Sequence, residues 1–391
     1  METTVRGILI GQQAPSDIVV REGEVVSVTA AGPGPADIGS ATAIIGPTLF
    51  DVQVNGLGGI DLHNPELVPE DIARISDMLA RWGVSRWVPT LVTGEQADLE
   101  RECRIVVEAL EDQRVARAVA GLHFEGPYIS PEDGPRGAHP RGHVRRPDIR
   151  EFDRLLEASG GRILYTTVAP EIEGAIDYIK AVVARGVAVS LGHHNAGPDA
   201  IAQAVDAGAR LCTHLGNGLA STIPRHVNPL WPQLADDRLT ASFIPDLEHL
   251  PAPALKTFVR AKGPERVVFT SDCVHIAGLK PGKYAFGGGE VELLESGRIC
   301  LRGTDLLAGS SLMLLHGLVN ATQVTDMSMA QAFASATTIP AKLLGLDYAF
   351  DLPTVGSKAD FVVFDIEQCR QGSGKWQAAV HGVFVNGDRK A

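Results

Sequence analysis

Between residues 3 and 30 the chain alternates apolar and polar positions in short runs broken by glycine-containing turns, the period-two pattern of a β-meander. The C-terminus repeats that pattern in ADFVVFD (359–365) and AVHGVFVNGDRKA (379–391). The two ends are therefore expected to pair into one small discontinuous β-sandwich domain, residues 1–47 with 346–391, into which the rest of the chain is inserted. The middle, 48–345, has a different rhythm. Short β-branched runs fall at 48–55, 86–91, 118–125, 162–169, 187–193, 210–214, 240–246 and 266–272, and helical patterns such as PEDIARISDMLARWG and GPDAIAQAVDAGA lie between them. Eight strand–helix units in about 300 residues predict an α/β fold of the (β/α)8, TIM-barrel type.

Composition narrows the function classes. With 45% hydrophobic and 21% charged residues, the 391-residue chain reads as an ordinary globular protein. A formal net charge of -12 and no basic run longer than HVRRP (143–147) argue against a nucleic-acid partner. The five cysteines include no C-x-x-C pair, so neither a disulfide framework nor a thiolate zinc site is indicated, and a reducing cytoplasm is the expected location. The N-terminal residues lack an export-signal pattern, and no apolar run reaches the length of a membrane span.

Polar residues close the barrel runs in a way that packing does not require. Glu125 ends AVAGLHFE, His193 ends VAVSLGH, His214 ends RLCTH and Asp272 ends RVVFTSD. These are the C-terminal ends of the third, fifth, sixth and eighth expected strands, the face on which barrel enzymes build active sites. Two imidazoles and a carboxylate form a three-ligand set for a divalent metal with one open position. Such an ion would bring the pKa of a water it holds to about 7, and Asp272 would serve as general base and then acid. The first strand, PTLFDVQVNG, carries Gln53 and Asn55 where a His-x-His pair would bind a second ion, so a mononuclear site is expected. In GHH only one of His193 and His194 can face the site, because neighbouring strand side chains point to opposite faces. GLGG (56–59) has no following Lys-Ser/Thr and reads as a tight turn.

As an ordered set, DVQVNG (51–56), HFEGPYISPEDGPRGAHP (123–140), GHHNA (192–196), THLGNG (213–218), DLEH (246–249), SDCVHIAG (271–278) and LLAGSSL (306–312) resemble the N-acetylglucosamine-6-phosphate deacetylases of the amidohydrolase superfamily, over nearly the whole length. The resemblance implies hydrolysis of the acetamido group to release acetate and an amino sugar phosphate. It implies one divalent metal per subunit, with zinc the expected ion, held by Glu125, His193 and His214, and Asp272 as catalytic base and acid. It places His139 at the acetamido carbonyl, where it would help stabilise the oxyanion, and Ala138 among the substrate-binding residues. Asn217, Gly218, His249, Leu307, Ala308 and Gly309 match substrate contacts, and Arg225 matches a phosphate-binding arginine that enters from the neighbouring subunit of a homodimer. Gln53 and Asn55 match the single-metal subset, with the second metal position vacant. His226 and His275 match no family role.

Three departures bear on the substrate. NGL (217–219) replaces N-A-M, DLEH replaces D-G-x-H, and GHH replaces the commoner His-Ser. Glu248 would repel a phosphate if both were desolvated, which bears on the 6-phosphate and leaves amide hydrolysis of an N-acetylated sugar untouched. The alternatives are a deacetylase for another N-acetylated amino sugar, of galactosamine type or unphosphorylated, then a cyclic amidohydrolase, then a non-catalytic barrel scaffold. RILYTTVAP (162–170) lacks the lysine that cyclic amidohydrolases generally carry at the fourth strand end.

Overall fold

The computed structural model describes residues 2–286, 289–369 and 374–391. Its centre is a sheet of eight parallel strands, Leu49–Val54, Val84–Val92, Leu122–Glu125, Ile163–Val168, Ala188–Leu191, Leu211–Cys212, Thr240–Phe243 and Val267–Phe269, in which each strand neighbours the next. The expected strands are all present, several of them shorter. The seam between the first and eighth strands closes through backbone beyond the last strand: Asp272 N–H donates to the Gln53 carbonyl (3.0 Å) and Asn55 N–H to the Cys273 carbonyl (2.8 Å). Asp51, fully buried, ties the same seam by accepting from Thr270 Oγ1 (2.7 Å) and Ser271 N (3.1 Å).

The connecting helices follow from local chemistry. Helix Pro69–Ala80 starts with Pro69 in its first turn, whose missing N–H would have had no intrahelical partner, and with Glu70 and Asp71 at the positive end of its dipole. Asp71 reaches back to the Val68 N–H at 3.2 Å. Ile72, Ile75 and Leu79 recur at helical spacing and are buried against the barrel. The GLGG segment forms a hairpin, pairing Gly56 with Asp61 and Leu57 with Ile60, with φ of 61° at Gly58 and 93° at Gly59. Positive φ at both central positions is what a tight hairpin turn of this hand requires.

The chain ends build one seven-stranded sheet in the order Asp388–Arg389, Trp376–Val385, Phe361–Gln368, Ile38–Pro47, Glu2–Leu9, Pro15–Arg21, Glu24–Ala30. It folds over on itself, since Val25 N–H donates to the Ser357 carbonyl (2.9 Å) and Ala359 N–H to the Gly23 carbonyl (2.9 Å). Period two explains the unbroken run FVVF: Phe361 and Val363 face the sheet's own core with Val5, Ile18 and Phe384, while Val362 and Phe364 face the barrel helices. Leu346, Tyr348 and Phe350 pack beneath the barrel against Phe50, and Leu352 joins the terminal core, so the chain crosses between the two bodies there. Two elements had no forecast from sequence pattern. One is the fourth terminal strand, Ile38–Pro47. The other is a three-stranded antiparallel sheet, Gly282–Phe286, Gly289–Leu293 and Ile299–Leu301, inserted after the eighth barrel strand beside the barrel mouth.

Candidate functional site

Glu125, His193, His214 and Asp272 come together at the C-terminal face of the barrel. Glu125 is the last residue of its strand, whereas the other three lie two or three residues beyond theirs. Those three have left-handed backbone, with φ of 52° at His193, 29° at His214 and 51° at Asp272. For a non-glycine residue this costs on the order of 1–3 kcal/mol and persists only where neighbours enforce it. Here they do. The His193 carbonyl accepts from Ser130 N (2.9 Å), His214 N–H donates to Ser242 Oγ (2.7 Å), and the Asp272 carbonyl accepts from Ser310 N (3.0 Å).

Three ligand-type atoms converge. Glu125 Oε1 lies 3.0 Å from His193 Nε2 and 2.8 Å from His214 Nε2, and the two imidazole nitrogens are 3.1 Å apart. His193 Nδ1 is 2.9 Å from the Pro135 carbonyl, which can only accept, so Nδ1 carries the proton and Nε2 presents a lone pair. A bare nitrogen facing a buried carboxylate oxygen at 3.0 Å is a repulsive pair unless a cation lies between them. Two imidazoles and one carboxylate within 4.8 Å of one another therefore fit a divalent metal. The electrostatics agree. Burial alone would raise the Glu125 pKa, but His193 and His214 hold it well below the carboxylate range, and burial would lower His214 but Glu125 and Asp272 raise it.

Asp272 Oδ1 accepts from Gln53 Nε2 (2.9 Å) and Asn55 Nδ2 (2.8 Å). The positions of a potential second histidine pair thus hold amides that fix the carboxylate, a role the vacant-site reading of these residues does not contain. Burial, and next the charge of Glu125, push Asp272 up to about 6. His139 lies in the same cluster, its Nε2 3.3 Å from His193 Nε2, and burial pushes its pKa down to about 3, so the ring is neutral.

A cavity of about 650 Å³ opens above these groups. Ala138, His139, Asn217, Gly218, His249, Leu307 and Gly309 line it as expected of substrate contacts; Ala308 is fully buried beneath and does not. His275, read as a bystander from the sequence, also lines it, stacked on Phe286 of the inserted sheet at 5.8 Å. Arg225 stands outside the cavity of its own chain, in an exposed segment. The GHH ambiguity resolves through backbone geometry: His193 faces the cluster, and His194 is buried away from it with Nδ1 accepting from Ala196 N (3.2 Å).

The DLEH departure is harmless to the cavity. Glu248 is absent from its lining and is paired instead, with Lys375 Nζ at 2.7 Å and Arg298 Nη1 at 3.7 Å. Its neighbour His249 is held by Asp246, whose Oδ2 accepts from His249 Nδ1 at 2.7 Å and whose Oδ1 accepts from the backbone N–H groups of Glu248 and His249. Sequence reading missed Asp246 as an orienting group; its place at the end of the 240–246 run, three residues before a cavity histidine, was the available signal.

By fold and site this is a (β/α)8 barrel whose strand ends hold a three-ligand divalent-metal set facing a buried carboxylate. Residues 44–390 match the model of the amidohydrolase family. The chain is 34% identical over 332 residues to the human N-acetylglucosamine-6-phosphate deacetylase, covering 82% of this chain and 80% of that one. It is 30% identical over 319 residues to the N-acetylgalactosamine-6-phosphate deacetylase of Escherichia coli O157:H7, covering 82% and 83%. A mutant N-acetyl-D-glucosamine-6-phosphate deacetylase from Mycobacterium smegmatis, solved with N-acetyl-D-glucosamine-6-phosphate, superposes with a TM-score of 0.83 at 27% identity, covering 100% and 99%. The chain belongs to the amidohydrolase family. Among the described residues no helix is long and apolar enough to cross a membrane.

Proposed function

We propose that the protein hydrolyses the acetamido bond of N-acetylglucosamine 6-phosphate, giving glucosamine 6-phosphate and acetate. The observation that carries this reading is the convergence of Glu125, His193 and His214 opposite Asp272, on a chain similar throughout to such deacetylases. Glu125, His193 and His214 would hold one divalent ion, with zinc suited to two imidazoles and a carboxylate, and when bound it supplies Lewis-acid activation of water and carbonyl. Asp272 takes a proton from the attacking water as its oxygen bonds to the acetamido carbon. His139 donates to the carbonyl oxygen as negative charge develops there. As the C–N bond breaks, Asp272 returns the proton to the leaving nitrogen, so acetate and a free amine result.

The phosphate reading is supported by the pairing of Glu248, which removes the repulsion that its sequence position suggested. Arg225 would serve from a neighbouring subunit; Val227 and Trp231, 64% and 48% exposed beside it, offer apolar surface for such a homodimer. The galactosamine-type substrate is the second reading, favoured by 30% identity to each of two such enzymes. We place the protein in amino-sugar use in the cytoplasm, with the terminal sheet, residues 1–47 and 346–391, as a domain apart from the barrel of 48–345. Acetate release from N-acetylglucosamine 6-phosphate should exceed that from the unphosphorylated sugar by about 100-fold or more, and Arg225→Ala should erase most of that preference. Equal rates on both sugars would remove the phosphate from the reading. No acetate from any N-acetylhexosamine or its phosphate would remove the deacetylase.

A further inference from the structure

Thr93 follows the second barrel strand and is 3% exposed. Its Oγ1 lies 2.9 Å from His139 Nδ1 and 3.4 Å from the Glu125 carbonyl. The Pro135 carbonyl forces the His193 proton onto Nδ1, leaving His193 Nε2 bare. That lone pair belongs to the ion and sets no proton on His139; His139 Nε2, 3.3 Å from it, is the ring nitrogen on the side of the metal ligands, and donation to a substrate carbonyl there requires its proton on Nε2. His139 Nδ1 is then an acceptor, and among the described residues the Thr93 hydroxyl is its donor. The shorter contact takes the hydroxyl proton, and the 3.4 Å approach to the Glu125 carbonyl is too long to compete.

The hydroxyl has little freedom to turn away. A Cβ on Gly126, which has φ of 89°, would collide with Thr93 Oγ1, so the glycine makes the space that the hydroxyl occupies. The preceding residue is pinned as well, because Val92 N–H donates to His63 Nε2 (3.0 Å) and His63 Nδ1 is 3.1 Å from the buried Glu102. We propose that Thr93 is a positioning residue whose hydroxyl donates to His139 Nδ1 and holds that ring in the tautomer that points Nε2–H at the substrate's carbonyl oxygen. The inference rests on the deacetylase reading, which makes His139 Nε2 the donor; the His139–Thr93 contact itself does not depend on it.

Two measurements on the metal-loaded protein test it. Long-range proton–nitrogen correlation spectra, with His139 assigned by its loss in His139→Asn, should show an unprotonated Nδ1 in wild type and Thr93→Ser, and a shifted or mixed signal in Thr93→Val. In acetate release, Thr93→Val should lose about 10- to 100-fold in kcat with KM within about threefold, and Thr93→Ser should recover most of it. A protonated His139 Nδ1 in wild type overturns the proposal, and so does a Thr93→Val protein with unchanged spectrum and kcat. If wild type releases no acetate, the deacetylase reading fails while the spectra still decide the role of Thr93. If Thr93→Val does not fold, the wild-type spectrum and Thr93→Ser decide it.

Discussion

The barrel mouth and the terminal sheet are built by opposite rules. In the sheet, Phe361, Val363 and Phe384 bury apolar surface with Val5 and Ile18, so the local preference of these residues agrees with their place. At the mouth, His193, His214 and Asp272 take left-handed backbone, two carboxylates face each other in a buried space, and a histidine nitrogen points at a carboxylate oxygen. Every one of these costs stability. The contrast separates residues that hold the fold from residues that the fold holds.

The largest effect should come from breaking the mouth without touching the sheet. Asp272→Asn keeps the size and the neighbouring amides but cannot accept the water proton. We expect turnover to fall by about 1,000-fold or more, metal content to be unchanged, and the melting temperature to stay level or rise, because one of two facing buried carboxylates is gone. Acetate-release kinetics, metal analysis and calorimetry on one preparation check this, and near-normal turnover would remove Asp272 from its role.

The converse change is Phe361→Ala in the terminal core. Phe361 is fully buried, with its ring 4.9 Å from that of Phe384. Truncation should cost about 3–5 kcal/mol in denaturant unfolding while the folded fraction keeps its turnover per site. A loss of turnover without a loss of stability would erase the division between the two regions.

The smallest effect sharpens the boundary between them. His123 lies in the barrel interior just below the mouth, fully buried, stacked on Tyr165 at 3.8 Å and bonded to Thr90 and Thr167. Burial pushes its pKa down to about 3, below the roughly 6.5 of an unfolded chain. The unfolded state therefore binds the proton first. The stability tied to the neutral ring is complete above about pH 6.5 and drains away as pH falls towards 3. Between pH 7.5 and 5, His123→Gln should lose less stability than wild type by about 2 kcal/mol, measured as the shift in unfolding free energy. Parallel pH curves for the two proteins would mean that His123 does not carry the linkage.

Much was legible in the chain itself. Strand periodicity gave the eight barrel runs because a buried parallel strand must be apolar on both faces, and strand-end polarity gave Glu125, His193, His214 and Asp272 because a barrel opens its chemistry at one face. The same alternation announced a terminal sheet from both chain ends. Where pattern was weak, reading failed: Ile38–Pro47 carries the small and polar residues Gly39, Ser40 and Thr42, and the inserted sheet of 282–301 is short and glycine-rich.

Other features depended on three dimensions alone. Linear order cannot show that Gln53 and Asn55 bond Asp272 more than 200 residues away, that Lys375 and Arg298 pair with Glu248, or that Thr93 meets His139. Nor can it choose between His193 and His194, since the choice turns on a backbone angle in the left-handed region. Sequence determines which side chains stand at which strand end, because periodicity is local. Proton positions, partner choice and the direction of a carboxylate are set by contacts between segments distant in the chain, and those exist only once the barrel has closed.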